Sequence, residues 1–459
     1  MSQAEALQPR RSGPSDALVT FVAELRLAAL PDDVRHYARR HLLDTVGVLI
    51  AGAGGVVAAR AEQVVASVRA PGRIPVPGRA RRADLLDAAF LGGTAAHGIE
   101  LDDGYRQGSA HPGCCTVPAV LATAYDRKAS GKALVEAMIA GYETATALAR
   151  ACHPDLRQRG FHPTAAVGVF AAAMATGKLR GLGPDRLANA LGIAASSAAG
   201  LFAFVNGGAD IKRLHAGHAS REGLQAALLA EQGVEGPPGV LEGRDGFFQA
   251  FARAEKARAF ELPPPFGITD CYIKPYPCCR HVQPAIEAVI DLLAAEKIAT
   301  DEVKRVEVET YRVAAEHAHA GWDDFASAQL SFHYLMALAL HFRAIKLEHF
   351  EEKVRRDPSL IALTKKIQVT APPDIDRLYP QQRPARVTVT TARGTFTQQV
   401  EEALGSRQVP LDDDGLKAKF DGLVGPVLGE GCAADLSKRL WAIEEIGDVA
   451  ALVEATAKS

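Results

Sequence analysis

The proline run ELPPPFGITD, Glu261 to Asp270, separates two kinds of sequence, and the change of hydrophobic period across it sets the fold class. Before it, to about residue 260, the chain reads as almost wholly helical. Pro31-Asp32-Asp33 opens a helix that continues through VRHYARRHLLDTVGVLIAG, with Val34, Tyr37, Leu42, Val46 and Val48 on one stripe. Ala83 to Ala96, Pro118 to Tyr125, Gly131 to Arg150, Thr164 to Leu179 and Arg221 to Glu231 read alike. These segments are rich in Ala and Gly, and aromatic residues make up only 6% of the chain, so close approach of helix axes is expected. After the proline run, Val303 to Tyr311 alternates with period two. Ile367 to Thr370 and Ala385 to Val400 do the same, the last with Arg393-Gly394 as a turn between its halves. Helical sequence, including Phe325 to His341, lies between these strands, and helix returns from Leu411. The expectation is a mainly α protein with a smaller α+β domain: an all-helical domain over 1–266, an inserted α+β domain over 267–400, and a segment 401–459 rejoining the first.

Bulk properties narrow the function. A net charge of -2 gives no global field for nucleic acid or an anionic membrane, so neither partner is expected, and an anionic ligand must be held by a few local cations. Seven cysteines without CxxC spacing suggest neither a disulfide framework nor a structural zinc, and point to a reducing cytoplasm. The N-terminal MSQAEALQPRRSGPSD has no apolar core of a secretory signal. Leu187 to Val205 carries no charge, but Ala, Ser and Gly dominate it and gain little from lipid. A closely packed buried helix is expected there.

Five polar segments interrupt this background. HGIELDDGYRQGSAHPG, His97 to Gly113, sets two histidines and three acidic residues among glycines and a proline, which reads as a loop able to present acid–base groups. In GFHPT, His162 precedes Pro163, and Thr164 is a candidate cap for the next helix. A histidine there is also a common packed residue. NGGADIKRLHAGHASREG places Lys212, Arg213, His215 and His218 between a glycine pair and a helix, either to receive carboxylates or as a solvated basic turn. KPYPCCRH holds Lys274, Cys279 and Arg280 on a backbone stiffened by two prolines, although Cys278 and Cys279 also suit simple burial. In SFHYL, Tyr334 lies in an apolar helix and by itself reads as core. Histidines, aspartates and a tyrosine beside lysines and arginines suit proton transfer next to a carboxylate, where fixed cations lower the cost of an anionic intermediate.

In order along the chain, HGIELDDGY…HPG, GFHPT, KRLHAGHASREG, LEGRDGF and KPYPCCRH resemble the MmgE/PrpD family, which includes 2-methylcitrate dehydratase, cis-aconitate decarboxylase and an iminodisuccinate epimerase. The resemblance implies an all-helical domain holding both termini, an α+β lid, a cleft between them, a homodimer, and neither metal nor organic cofactor. It places His111, His162, Lys212, Lys274, Tyr334 and Asp102 as catalytic. Asp103, Arg213, His215, Cys279, Arg280 and His97 would bind a small polycarboxylate. The chain departs from the family at Glu100, commonly aspartate, and at Gly104, where decarboxylases carry threonine. Cys279 stands for a pocket histidine, and Gln283 for another histidine. These departures weigh against cis-aconitate decarboxylation, and the KPYPCCR form against 2-methylcitrate as the exact substrate; the leading expectation is a hydro-lyase, with decarboxylase or epimerase chemistry as the alternative on the same scaffold. A metal-dependent enzyme using His97, Asp102, Asp103, His111 and His162 is a separate class, as is a non-catalytic tricarboxylate binder.

Overall fold

The computed structural model describes residues 13–206 and 210–458. The N-terminal residues read above for a secretory signal lie outside the described residues up to position 12, as do Gly207, Gly208 and Ala209 of the third polar segment. The described chain forms two compact units, one built from residues up to 98, 102–271 and 413 onward, the other from residues 99–101 and 272–412. It is mainly helical, with one four-stranded sheet in the second unit, as the change of period implied.

Helices of the first unit that bear on the site are α1 (Asp32–Gly52), α2 (Leu85–Ala96), α3 (Pro112–Arg127), α4 (Gly131–Cys152), α5 (Pro163–Leu179), α6 (Ile211–Glu231) and, much later in the chain, α9 (Asp413–Leu428). Asp32 and Asp33 occupy the first turn of α1, where negative charge meets the positive end of the helix dipole. Pro112 and Pro163 open α3 and α5, a position that needs no N–H donor. Helix α6 packs on both α5 and α2, and glycine makes the contact close. A Cβ on Gly217 would lie 2.4 Å from the carbonyl oxygen of Phe90, so no larger residue fits that crossing. Helix α9 lies along α1, where Lys419 Nζ meets the buried Asp44 carboxylate at 2.5 Å.

Three local expectations are corrected. Helix α3 begins at Pro112 and takes Pro118 into its interior, rather than starting there. The KRLH motif forms the first turns of α6 instead of preceding a helix. The uncharged stretch from Leu187 is not one buried helix: the helix Pro184–Ser196 stops, Gly200 turns at φ +104°, and Leu201 and Val205 are exposed. Glycine adopts that φ without the Cβ clash that other residues meet. No single helix among the described residues is long and apolar enough to cross a membrane.

In the second unit, β1 (Arg305–Thr310), β2 (Ile367–Thr370), β3 (Ala385–Thr390) and β4 (Thr395–Val400) form a sheet in the order β2-β1-β3-β4. The β1–β2 pair is parallel and the other two are antiparallel. A parallel pair needs a long crossover, here supplied by helix α8 (Phe332–Phe342) and the turns around it. Val306, Val308, Val387 and Val389 point to one face and are buried beneath α7 (Gln283–Ala295) and α8. The unit extends to Asp412 because residues 403–405 stay tied to it: Leu404 N–H donates to Glu287, and Ile273 N–H to the Gly405 carbonyl.

Candidate active site

The first unit gathers a chain of four imidazoles. His97 closes α2, His111 and His162 precede α3 and α5 at their N-cap positions, and His215 sits in the first turns of α6. Ring centroids are 5.1 Å apart for His97 and His111, 5.6 Å for His97 and His162, and 5.2 Å for His162 and His215. Two histidines read as catalytic, His111 and His162, and two read as substrate-binding, His97 and His215, thus share one cluster.

Asp102 orients one end of it. Its Oδ2 lies 2.7 Å from His97 Nδ1 and 3.3 Å from His111 Nδ1, and His111 Nδ1 is also 2.5 Å from the Asp103 carbonyl oxygen. A proton on His111 Nδ1 therefore has an acceptor, which leaves Nε2 as the basic nitrogen. His97 Nε2 is buried and meets no hydrogen-bond partner among the described residues. His162 and His215 face each other through Nδ1 at 3.0 Å, a contact that holds one proton between two nitrogens.

Burial dominates the electrostatics of this cluster. It pulls His97 down to about 4 despite the neighbouring Asp102 carboxylate. It pulls His215 to about 4 as well, and it pushes His162 well below the ordinary value, with the other histidines adding to the effect. These rings are neutral proton acceptors at pH 7. The Lys212 ammonium reaches the cluster electrostatically, since it depresses both His97 and His215.

Asp103, read as substrate-binding, has both carboxylate oxygens bonded within the protein. Its Oδ1 accepts the Gly113 N–H at 3.0 Å, its Oδ2 accepts the Tyr142 hydroxyl at 2.7 Å, and His41 Nδ1 lies 3.2 Å from the same Oδ2. The carboxylate is completely buried, and its role is to hold the HPG turn. Gly113 is required there, because a Cβ would sit 2.5 Å from the Tyr142 hydroxyl and 2.8 Å from Asp103 Oδ1. Thr164 does not cap α5: its hydroxyl accepts the His111 backbone N–H at 3.2 Å, tying the two histidine-bearing turns together. Arg213 is buried and donates from Nε to the Gly98 carbonyl at 2.9 Å, so it braces the end of α2 in place of receiving a carboxylate.

His97, Asp102 and Cys114 bring one nitrogen, one oxygen and one sulfur within 4.8 Å of one another. The 2.7 Å between His97 Nδ1 and Asp102 Oδ2 is a hydrogen-bond length. Two ligands on one tetrahedral zinc stand about 3.3 Å apart at ordinary bond lengths. Burial also drives the Cys114 thiol well above its usual value, and that thiol lies 3.2 Å from the His111 carbonyl. The trio fits a hydrogen-bonded group better than an ion site.

The KPYPCCRH segment lies in the second unit. Lys274 is buried there, with Nζ 3.1 Å from the Glu100 carbonyl and 3.4 Å from Glu100 Oε2. Glu100 adopts a left-handed φ of 54°. Arg280 is corrected from a carboxylate ligand to a brace: Nη1 donates to Gln283 Oε1 and to the Leu404 carbonyl, both at 2.6 Å, and Nη2 donates to the Ala403 carbonyl at 2.7 Å. Gln283 in turn donates to the Tyr276 carbonyl at 3.1 Å, fixing the proline-rich turn. Tyr334 is corrected in the same way. It is fully buried in the core, and its hydroxyl donates to the His349 carbonyl at 2.5 Å. Cys279 lies 3.4 Å from His317 Nε2.

Sequence reasoning missed His41, Tyr142 and His317. The signal for the first two was a polar residue on the buried face of an otherwise apolar helix, whereas nothing around His317 marked it.

Comparison with known proteins agrees with the motifs. The chain belongs to the MmgE/PrpD family: residues 16–259 match its N-terminal domain and residues 276–442 its C-terminal domain. It is 27% identical over 489 residues to cis-aconitate decarboxylase of Aspergillus terreus, covering 99% of this chain and 98% of that protein. It is 27% identical to cis-aconitate decarboxylase of Homo sapiens, with 95% and 93% covered. It is 25% identical to 2-methylcitrate dehydratase of Cupriavidus necator, with 87% of each covered.

Proposed function

We propose that the protein is a cofactor-independent lyase that dehydrates a small hydroxy-polycarboxylate by removing a proton next to a carboxylate. The observation that carries this reading is the His111 ring, held at Nδ1 by the Asp103 carbonyl and by Asp102 so that Nε2 is the base. Its side chain is 15% exposed, against 0% for His97. His111 Nε2 takes the proton, Lys212 offsets the charge of the carbanion, and the imidazolium so formed returns that proton to the departing hydroxyl, which leaves as water. Fixed charge at such a carbanion typically supplies on the order of 10²–10³ in rate. The neutral rings of His97, His162 and His215 put no competing cation beside that base, and abstraction of a proton is the step a dehydration requires.

A second reading is decarboxylation of a cis-aconitate-type acid. It is favoured by the relatives that align over nearly the whole chain, which carry that name. The deciding experiment incubates the protein with citrate, 2-methylcitrate, cis-aconitate and malate in D₂O beside His111→Ala and His111→Asn. Deuterium exchange and ultraviolet absorbance of an unsaturated acid, both lost in the variants, support the dehydratase. Carbon dioxide release moves the assignment to decarboxylase, and no exchange with any acid removes both. We also propose the homodimer that the family resemblance implies; light scattering should then give twice the 48.6 kDa of one chain.

A further inference from the structure

Cys279 differs from the other cysteines in its surroundings. Burial pushes the thiols of Cys114, Cys152, Cys271, Cys278 and Cys432 up. Cys279 is also buried, yet its Sγ lies 3.4 Å from His317 Nε2; Cys114 also lies beside an imidazole, His97 Nδ1 at 3.7 Å, but there the Asp102 and Asp103 carboxylates oppose a thiolate. His281 stacks on His317 at 5.9 Å and is itself held through Nδ1 by the Tyr311 hydroxyl at 2.6 Å. The titratable and charged groups that face Cys279 are His317 from the turn after β1, with Lys274, Cys278 and the backbone N–H of His281 from its own segment. Lys274 is balanced by Glu100. Burial opposes the thiolate, but the adjoining imidazole, the His281 N–H and the Lys274 charge outweigh it and bring the thiol to about 6.

We infer that Cys279 and His317 form a thiolate–imidazolium pair whose sulfur is a nucleophilic site for small α,β-unsaturated carbonyl compounds. The sulfur adds to the β-carbon, forming the S–C bond. The π pair of the alkene moves to the α-carbon, which takes the proton from His317 Nε2, leaving a thioether and a neutral imidazole. Nothing else is consumed. Thiolate character, an adjoining cation and some exposure distinguish reactive cysteines from inert buried ones, and Cys279 keeps 8% of its surface where Cys114, Cys115, Cys152 and Cys278 keep none. The pair shares Lys274 and Cys279 with the residues that the family resemblance turns toward the substrate, but involves none of the four histidines of the first unit, so its alkylation is read independently of lyase turnover.

The test uses the intact protein with acrylamide as the probe. Peptide mapping and intact mass follow the adduct at Cys279 from pH 5 to pH 10. The expected midpoint of the rate is about 6, against about 8.5 for an unperturbed thiol. His317→Ala should return the midpoint above 8. At pH 7 the rate should fall only about two- to threefold, because the more basic thiolate is intrinsically more nucleophilic. A midpoint near 8.5 in the wild type overturns the inference. So does a His317→Ala profile identical to the wild type, or a native protein in which Cys432 is alkylated and Cys279 is not. If His317→Ala fails to fold, the wild-type profile decides by itself.

Discussion

Removing one oxygen, with Tyr142→Phe, tests whether Asp103 is an internal strut. The lost hydroxyl donates to Asp103 Oδ2 at 2.7 Å inside a carboxylate site that is completely buried. A hydrogen bond to a charged group contributes about 1.5–3 kcal/mol, and here the acceptor keeps its burial after the donor is gone. We take about 2 kcal/mol. The helical unit holds roughly 300 residues, and at about 2.1 cal/mol/K per residue its unfolding entropy is about 0.6 kcal/mol/K. The expected fall in melting temperature is therefore about 3 °C, read by differential scanning calorimetry. Asp103→Asn should cost more, because it disturbs the Gly113 N–H and His41 contacts as well. In that background Tyr142→Phe should cost less than half as much, a coupling of about 1 kcal/mol. A Tyr142→Phe protein melting within 1 °C of wild type, or two costs that simply add, would refute the strut (about 0.3 kcal/mol is the noise of such cycles).

Three further expectations concern single groups. His97 and His215 titrate at about 4 when folded and near 6.5 when unfolded, so between those values the unfolded chain binds more protons and stability rises with pH. Glu143, raised to about 7 by burial, works in the opposite direction between about 4.5 and 7. Glu287 is raised to about 7 likewise, and His162 is pushed well below its ordinary value, so three histidines against two carboxylates leave a net gain from pH 5 to pH 7, which thermal scans in that range should show and His215→Asn should flatten. Arg280→Ala should lower the melting of the α+β unit by about 10 °C, from about 3 kcal/mol of unpaired carbonyls, and Arg280→Lys should recover little, since one ammonium cannot reproduce the fork. Glu100→Gln leaves the Lys274 charge unbalanced, so calorimetric binding of a polycarboxylate should tighten about fivefold, or roughly 1 kcal/mol, and unchanged affinity would remove Lys274 as a carboxylate ligand.

Much of the architecture was written in periodicity. The hairpin turning at Arg393-Gly394 and the strand Ile367–Thr370 lie where alternation placed them, because a half-buried strand must alternate. The histidines were legible as polar groups at turns, and prolines at the first helical position marked where two of those turns end. What stayed hidden was the bonding. A sequence displays the donors of Arg280 but not the Ala403 and Leu404 carbonyls that fold back to meet them. Tyr334 and Asp103 misled in the same way, since a group with acid–base character reads alike whether its partner is a substrate or the protein's own backbone. The start of α6 was missed because the glycine pair ahead of it resembled a loop that continued.

The split path of the chain has a consequence for synthesis. Residues 272–412 can complete their sheet and core as soon as they leave the ribosome, whereas the helical unit must wait for α9 and the helices after it. Until then Asp44 lacks Lys419, and the surface of α1 around Gly47 lacks the Phe420 ring that closes on it. A nascent chain therefore carries an unfinished first unit while the later one matures. For that interval the exposed groove on α1 is a natural place for a chaperone to hold the chain, and a truncation before Asp413 makes the interval permanent.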